Sequence, residues 1–110
     1  MPFSFIVLIA AQYAPTSASA MAVGLTPTRI DMLTVTNTDT VPRTVSINLV
    51  PNGISPSAAN ASTIDQAILP GQTWVSPNEA GKVLGVGDAI SVVASVANKL
   101  VIYAGGTAQI

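Results

Sequence analysis

Apolar and polar residues alternate with a period of two through most of this chain, most clearly in "RTVSINLV" at residues 43–50. Successive side chains of an extended strand point to opposite faces, so Val45, Ile47 and Leu49 are expected on a buried face and Ser46 and Asn48 outward. "RIDMLTVTN" at 29–37 carries the same pattern with Leu33 and Val35 inward, and the adjacency of Met32 and Leu33 breaks the phase, as a bulge does. Between these segments lies "TDTVP", where Asp39 can bond nearby backbone and Pro42 resists pairing, so a hairpin is predicted.

Turn chemistry divides the rest. "VPNGISPSAAN" at 50–60 is expected to be an exposed loop in which Asn52-Gly53 supplies a positive φ. Strand signal returns in "STIDQAIL", is interrupted by Pro70-Gly71 and resumes in "QTWVS", which predicts a second hairpin or a corner between sheets. "SPNEAGKVLG" holds the single helical signal: Ser76 as N-cap, Pro77 at the first helical position, Glu79 completing a capping box and Gly85 as the stop. In "DAISVVASVA", Ile90, Val92, Ala94 and Val96 share one face; Asn98-Lys99 then turns the chain into a last strand, where Gly105-Gly106 permits a bend. The predicted fold is all-β: an antiparallel β-sandwich, jelly-roll or Ig-like, or a small β-barrel, with one short helical turn near residues 77–84.

The opening run "MPFSFIVLIAAQYAPTSASAMA" has three readings. A secretory signal needs a positively charged leading region, and no Lys or Arg precedes Arg29. A helical membrane span needs roughly 18 apolar residues, and Gln12 and Pro15 interrupt a shorter run. The remaining reading is a β-strand followed by a connector, retained in the folded protein. Residues 1–22 are thus expected to be a strand and connector able to act as an inter-subunit arm, and 23–110 the β-sandwich domain.

Composition shifts this picture towards self-association. Of 110 residues, 49% are hydrophobic and 8% charged, against about 25% charged in ordinary soluble domains. A formal net charge of −1 gives copies little repulsion. Four scattered Lys and Arg cannot neutralise a row of phosphates, so nucleic acid is not an expected partner. The absence of Cys removes disulfides and thiolate sites from consideration.

Candidate chemistry is sparse. Without His or Cys, acid–base catalysis would need two carboxylates driven apart in pKa, and the five acids suit structural roles better: Glu79 in the capping box, Asp39 and Asp88 at turns, Asp31 and Asp65 at outward or edge strand positions. No catalytic, cofactor or metal residue is assigned. No run has the density of acids of a calcium loop, the glycines of "AGKVLGVGD" lack the phosphate-loop spacing, and "NAS" at Asn60 is a three-residue glycosylation pattern that arises readily by chance. Trp74 is read as core packing or as an interface anchor. The interface candidates are therefore Phe3, Phe5, Ile6, Val7, Leu8 and Ile9 of the opening strand, with Trp74.

The order of three stretches, "LTVTNTDTVPRTVSINLVPNG", "ILPGQTWVSPNEAGKVLGVGDAISVVAS" and a final strand ending "GGTAQI", resembles small virion structural proteins of tailed bacteriophages over about three quarters of the chain. The resemblance implies a non-enzymatic particle component located in the virion: a capsid decoration or cement protein, or a collar, neck or tail accessory subunit. Its implied partners are other copies of itself and virion proteins such as major capsid or neck and tail subunits, with no cofactor, nucleic acid or membrane. Two other classes stay open: a carbohydrate- or receptor-binding module, which would need exposed aromatics, and a secreted or surface subunit assembled by donating its N-terminal strand.

Overall fold

Nine strands form within residues 2–109, the part of the chain that the computed structural model describes: β1 (Phe3–Tyr13), β2 (Ser19–Val23), β3 (Thr28–Asn37), β4 (Arg43–Val50), β5 (Ala61–Ile68), β6 (Thr73–Val75), β7 (Val83–Leu84), β8 (Ala89–Ala94) and β9 (Leu100–Gln109). One sheet has the order β1-β9-β3-β6, with β7 pairing the other end of β3, and the second has the order β2-β8-β4-β5. All pairs are antiparallel. If β6 and β7 count as one interrupted strand, the chain runs as nested ribbons (β1 with β9, β2 with β8, β3 with β6/β7, β4 with β5), which is the strand order of a jelly-roll sandwich.

The period-two pattern puts apolar residues between the sheets as expected. Val45, Ile47, Ile90, Val92 and Ala94 from one sheet meet Ile30, Leu33, Val35, Ile102 and Ala104 from the other, all buried. Leu49 and Trp74 are half-buried and pack against this cluster. A register shift between Ile30 and Met32 places the expected bulge at Asp31, and a second between Val7 and Ile9 lies on the opposite flank of the same stretch of β9. Gly105 and Gly106 sit between these two bulges. A Cβ on Gly106 would meet the Arg29 carbonyl oxygen at 2.5 Å and Leu8 Cδ1 at 2.8 Å, so a side chain has no room there.

The hairpin predicted around "TDTVP" is a corner instead. β3 and β4 belong to different sheets, so residues 38–42 cross the sandwich; β5 and β6 are likewise split, which is the corner alternative for Pro70-Gly71. Asn37 holds the first crossing together: fully buried, it donates from Nδ2 to the Val41 and Ile68 carbonyls at 2.9 Å each and accepts the Asp39 N–H at 2.8 Å. The left-handed turns fall at Gly53 (φ 78°), Gly71 (φ 73°) and Asn98 (φ 58°), as their residue types suggest.

The helical turn expected near residues 77–84 is also corrected. Residues 77–81 form consecutive turns leading into β7, and Glu79 does not close a capping box on Ser76. Its carboxylate points inward and accepts from the Thr63 hydroxyl at 2.8 Å, a partner 16 residues away that local spacing cannot reveal. The capping box of this chain lies at Ser57 and Asn60 around a single 3-10 turn, Ala58–Asn60, within the 50–60 loop.

The division at residue 22 does not coincide with a structural break. β1 pairs along its length with β9 of its own chain and β2 with β8, so residues before position 22 belong to both sheets. Met1 and Ile110, the outer ends of the two expected segments, lie outside the described residues.

Candidate functional site: the outer face and free edge of the β1 sheet

β1 stands out for its apolar run, and the structure divides that run by parity up to Val7 and then, through the bulge between Val7 and Ile9, in the opposite phase. Ile9 is in the core at 1% exposure, Leu8 is half-buried and packs on the core, and Ile6 is half-buried; none of the three is part of an outer surface. Phe3, Phe5 and Val7 face away from the core at 65%, 86% and 59% exposure. Trp74, opposite Val35 on the inner face of β6, is core packing and does not join them.

The register shows what surrounds the three outward residues. Phe5 lies opposite Thr107 and Val7 opposite Gly105, and Met32 flanks Gly105 from β3. Tyr13 and Tyr103 follow on the same face, and Val75 and Val83 extend it to the far edge of the sheet, all at least one third exposed. Tyr13, Tyr103, Met32, Val75 and Val83 are not among the interface candidates of the sequence. The usable signal was the second phase of the alternation: in "VIYAGGT", residues 101–107, the positions that do not face the core are themselves largely apolar.

The charged groups of this face lie at one end, and a Thr36–Thr73 hydroxyl hydrogen bond of 2.8 Å lies at the other. Arg29 Nε is 2.7 Å from Asp31 Oδ1, and the Thr107 hydroxyl donates to Asp31 Oδ2 at 2.6 Å. The Thr107 hydrogen bond first, and the Arg29 guanidinium second, hold the Asp31 carboxyl below the usual carboxylate range. This pair is exposed and self-neutralising, so it contributes little net field or stability. Phe3, Pro27, Arg29 and Val83 border a shallow hollow of about 380 Å³ beside it.

The remaining acids hold the fold. Asp39 accepts the Thr40 N–H and pairs with Arg43 at 2.7 Å; these two interactions, the backbone one foremost, keep its carboxyl low as well. Asp88 receives the Asn52 and Gly85 N–H groups at 2.9 Å and ties the 50–60 loop to the β7–β8 turn. Glu79 Oε1 is the one buried side-chain oxygen without a hydrogen-bond partner among the described residues. No group of three or more His, Cys, Asp or Glu close enough to hold a metal ion occurs among the described residues, and no helix among them is long and apolar enough to cross a membrane.

The four sheet edges differ sharply. β6 and β7 are three and two residues long with a turn between them, and β2 has five residues and a register shift. β5 is twice irregular against β4 and carries Asp65 at φ 47°. These are devices that blunt an edge against pairing. β1 has eleven residues, none charged; it too shifts register twice, after Val7 and after Ile9, but it keeps one-to-one register with β9 over the five residues Phe3 to Val7.

These features define an all-β jelly-roll sandwich whose most distinctive surface is an apolar sheet face ending in a strand that is uncharged and regular from Phe3 to Val7. No protein-family model matches the chain, and no curated protein or solved structure is significantly similar to it.

Proposed function

We infer that this protein is a non-enzymatic structural subunit of a bacteriophage virion, present in many copies, that decorates or stabilises the capsid or the neck and tail by subunit–subunit contact. The observation that carries the reading is the outer face of the β1 sheet, where Phe3, Phe5, Val7, Met32, Tyr13 and Tyr103 are exposed together. Isolated surface apolar residues are ordinary, but a contiguous set on one sheet face marks an interaction surface. The low charge, 8% of residues, supports contacts made by apolar packing and backbone pairing rather than ion pairs.

The sandwich adds support by analogy, since jelly rolls recur in viral capsid and lectin domains, while the fold itself does not carry the function. The order of strand and turn motifs described above points to the same group of proteins. Mass spectrometry and immunogold labelling of gradient-purified particles from a lysate that expresses the chain test the reading. The chain is expected to co-sediment with particles in many copies. Its recovery solely in the soluble or secreted fraction would overturn the virion assignment.

A further inference from the structure

We propose that the free edge of β1 pairs antiparallel with β1 of a second copy, across a two-fold axis at Phe5, to join the two β1 sheets into one. The regular stretch Phe3–Val7 is the longest part of β1 in unbroken one-to-one register with β9, so it presents the flattest length of edge. Centred on Phe5, the pairing sets Phe5 against Phe5 of the second copy and Phe3 against its Val7, all outward and more than half exposed. Aromatic–aromatic and aromatic–β-branched cross-strand pairs are among the more stabilising kinds.

Three observations choose a second copy as the occupant. An antiparallel edge is complementary to itself under a two-fold axis, and a chain with one such regular, uncharged stretch of edge closes as a dimer rather than growing as a fibre. No charged residue precedes Arg29, and the net charge is −1, so neither the edges nor the whole copies repel. Apolar surface is also available: at about 200 Å² for a whole aromatic side chain, the bare parts of Phe3 and Phe5 come to about 300 Å² per copy, of which side-by-side pairing covers the parts facing the second copy and leaves the outward ring faces open. Val7, the strand edge and Leu25, 85% exposed beside it, add to the contact, which lies at the small end of specific interfaces, where ~1,200 Å² is the lower bound of the standard size. Beneath the same edge, Ile6, Leu8, Ala22 and Leu25 line a cleft of about 420 Å³ between the two sheets, which a second strand would roof.

The inference names the self-contact within the multi-copy reading but is read out on the purified chain. Absence from particles would leave it standing, and a monomer found in particles would remove it alone. The full chain is followed by sedimentation velocity over a concentration series, with far-UV circular dichroism and melting as the check on folding. A dimer is expected that Phe5→Lys weakens at least tenfold without unfolding, since the side chain is 86% exposed, while Val83→Lys on the opposite edge leaves it intact. Because the protein has no cysteine, Phe5→Cys is expected to form a disulfide dimer under mild oxidation. Phe3→Cys is not, since the proposed register places the two copies' Cα atoms at this position well beyond the ~7 Å a disulfide tolerates. A monomer at every concentration, a dimer indifferent to Phe5→Lys, or cross-linking through Phe3→Cys in preference to Phe5→Cys would each overturn the proposal, the last two in favour of another face or register.

Discussion

Replacing Asn37 by Ala tests whether the crossing between the sheets is held by one side chain. Asn37 has no exposed surface and makes three hydrogen bonds, to the Ile68 carbonyl within the core and to the Val41 carbonyl and Asp39 N–H in partly buried positions. Truncation leaves all three backbone groups without that partner. A buried group left unmade costs about 1–3 kcal/mol and a partly wetted one about 0.5–1.5 kcal/mol, so the total is about 2–6 kcal/mol. For a domain of this size about 4 °C of melting temperature corresponds to 1 kcal/mol, and the Tm is expected to fall by roughly 8–24 °C. Asn37→Asp separates hydrogen bonding from size: it keeps the acceptor for Asp39 but turns an oxygen towards two carbonyls, so at neutral pH it should be at least as damaging as Ala. The assay is thermal and urea unfolding of the three chains. A shift below about 3 °C for Ala, or an Asp variant as stable as the parent, would refute the reasoning.

Gly106→Ala is expected to cost about 1–3 kcal/mol, because its Cβ would lie 2.5 Å from the Arg29 carbonyl oxygen in the neighbouring ladder, whereas Gly105→Ala meets nothing closer than 3.6 Å and should be near neutral. Equal urea midpoints for the two would contradict the packing described for β9. Glu79→Gln keeps an acceptor for Thr63 and removes a charge from a fully buried position, so a higher Tm is expected at pH 7; a fall of several degrees would mean that the carboxylate is better compensated than its unpartnered Oε1 indicates. Asp31 and Asp39 both have carboxyls held below their unfolded values, so their contribution is present above the ordinary carboxylate range and is lost as pH falls through the folded-state values. Melting between pH 7 and 2 should show stability declining below about pH 4, less steeply in the Asp31→Asn, Asp39→Asn double variant, and an unchanged acid limb in that variant would argue against these two carboxyls as the cause.

What the sequence by itself determined is local. Period-two alternation identified the inward residues of β4 and β8, and residue type located the turns at Asn52-Gly53, Pro70-Gly71 and Asn98-Lys99, the first with its positive φ, because strand parity and turn conformation depend on a residue and its near neighbours. The bulge near Met32 was legible for the same reason. Partner choice was not. "TDTVP" has turn chemistry that serves a hairpin or a crossing equally, and the crossing follows from β3 pairing with β9 and β4 with β8, contacts between 39 and 80 residues away in sequence. Glu79 satisfied every local requirement of a helix cap, yet its carboxylate goes to Thr63 on β5. The candidate interface shows the same division: the apolar run of β1 was evident, but only pairing with β9 decided that Phe3, Phe5 and Val7 stay outside while Ile9 enters the core. Alternation separates two faces of a strand without saying what covers either, and burial is settled by strands brought together from opposite ends of the chain.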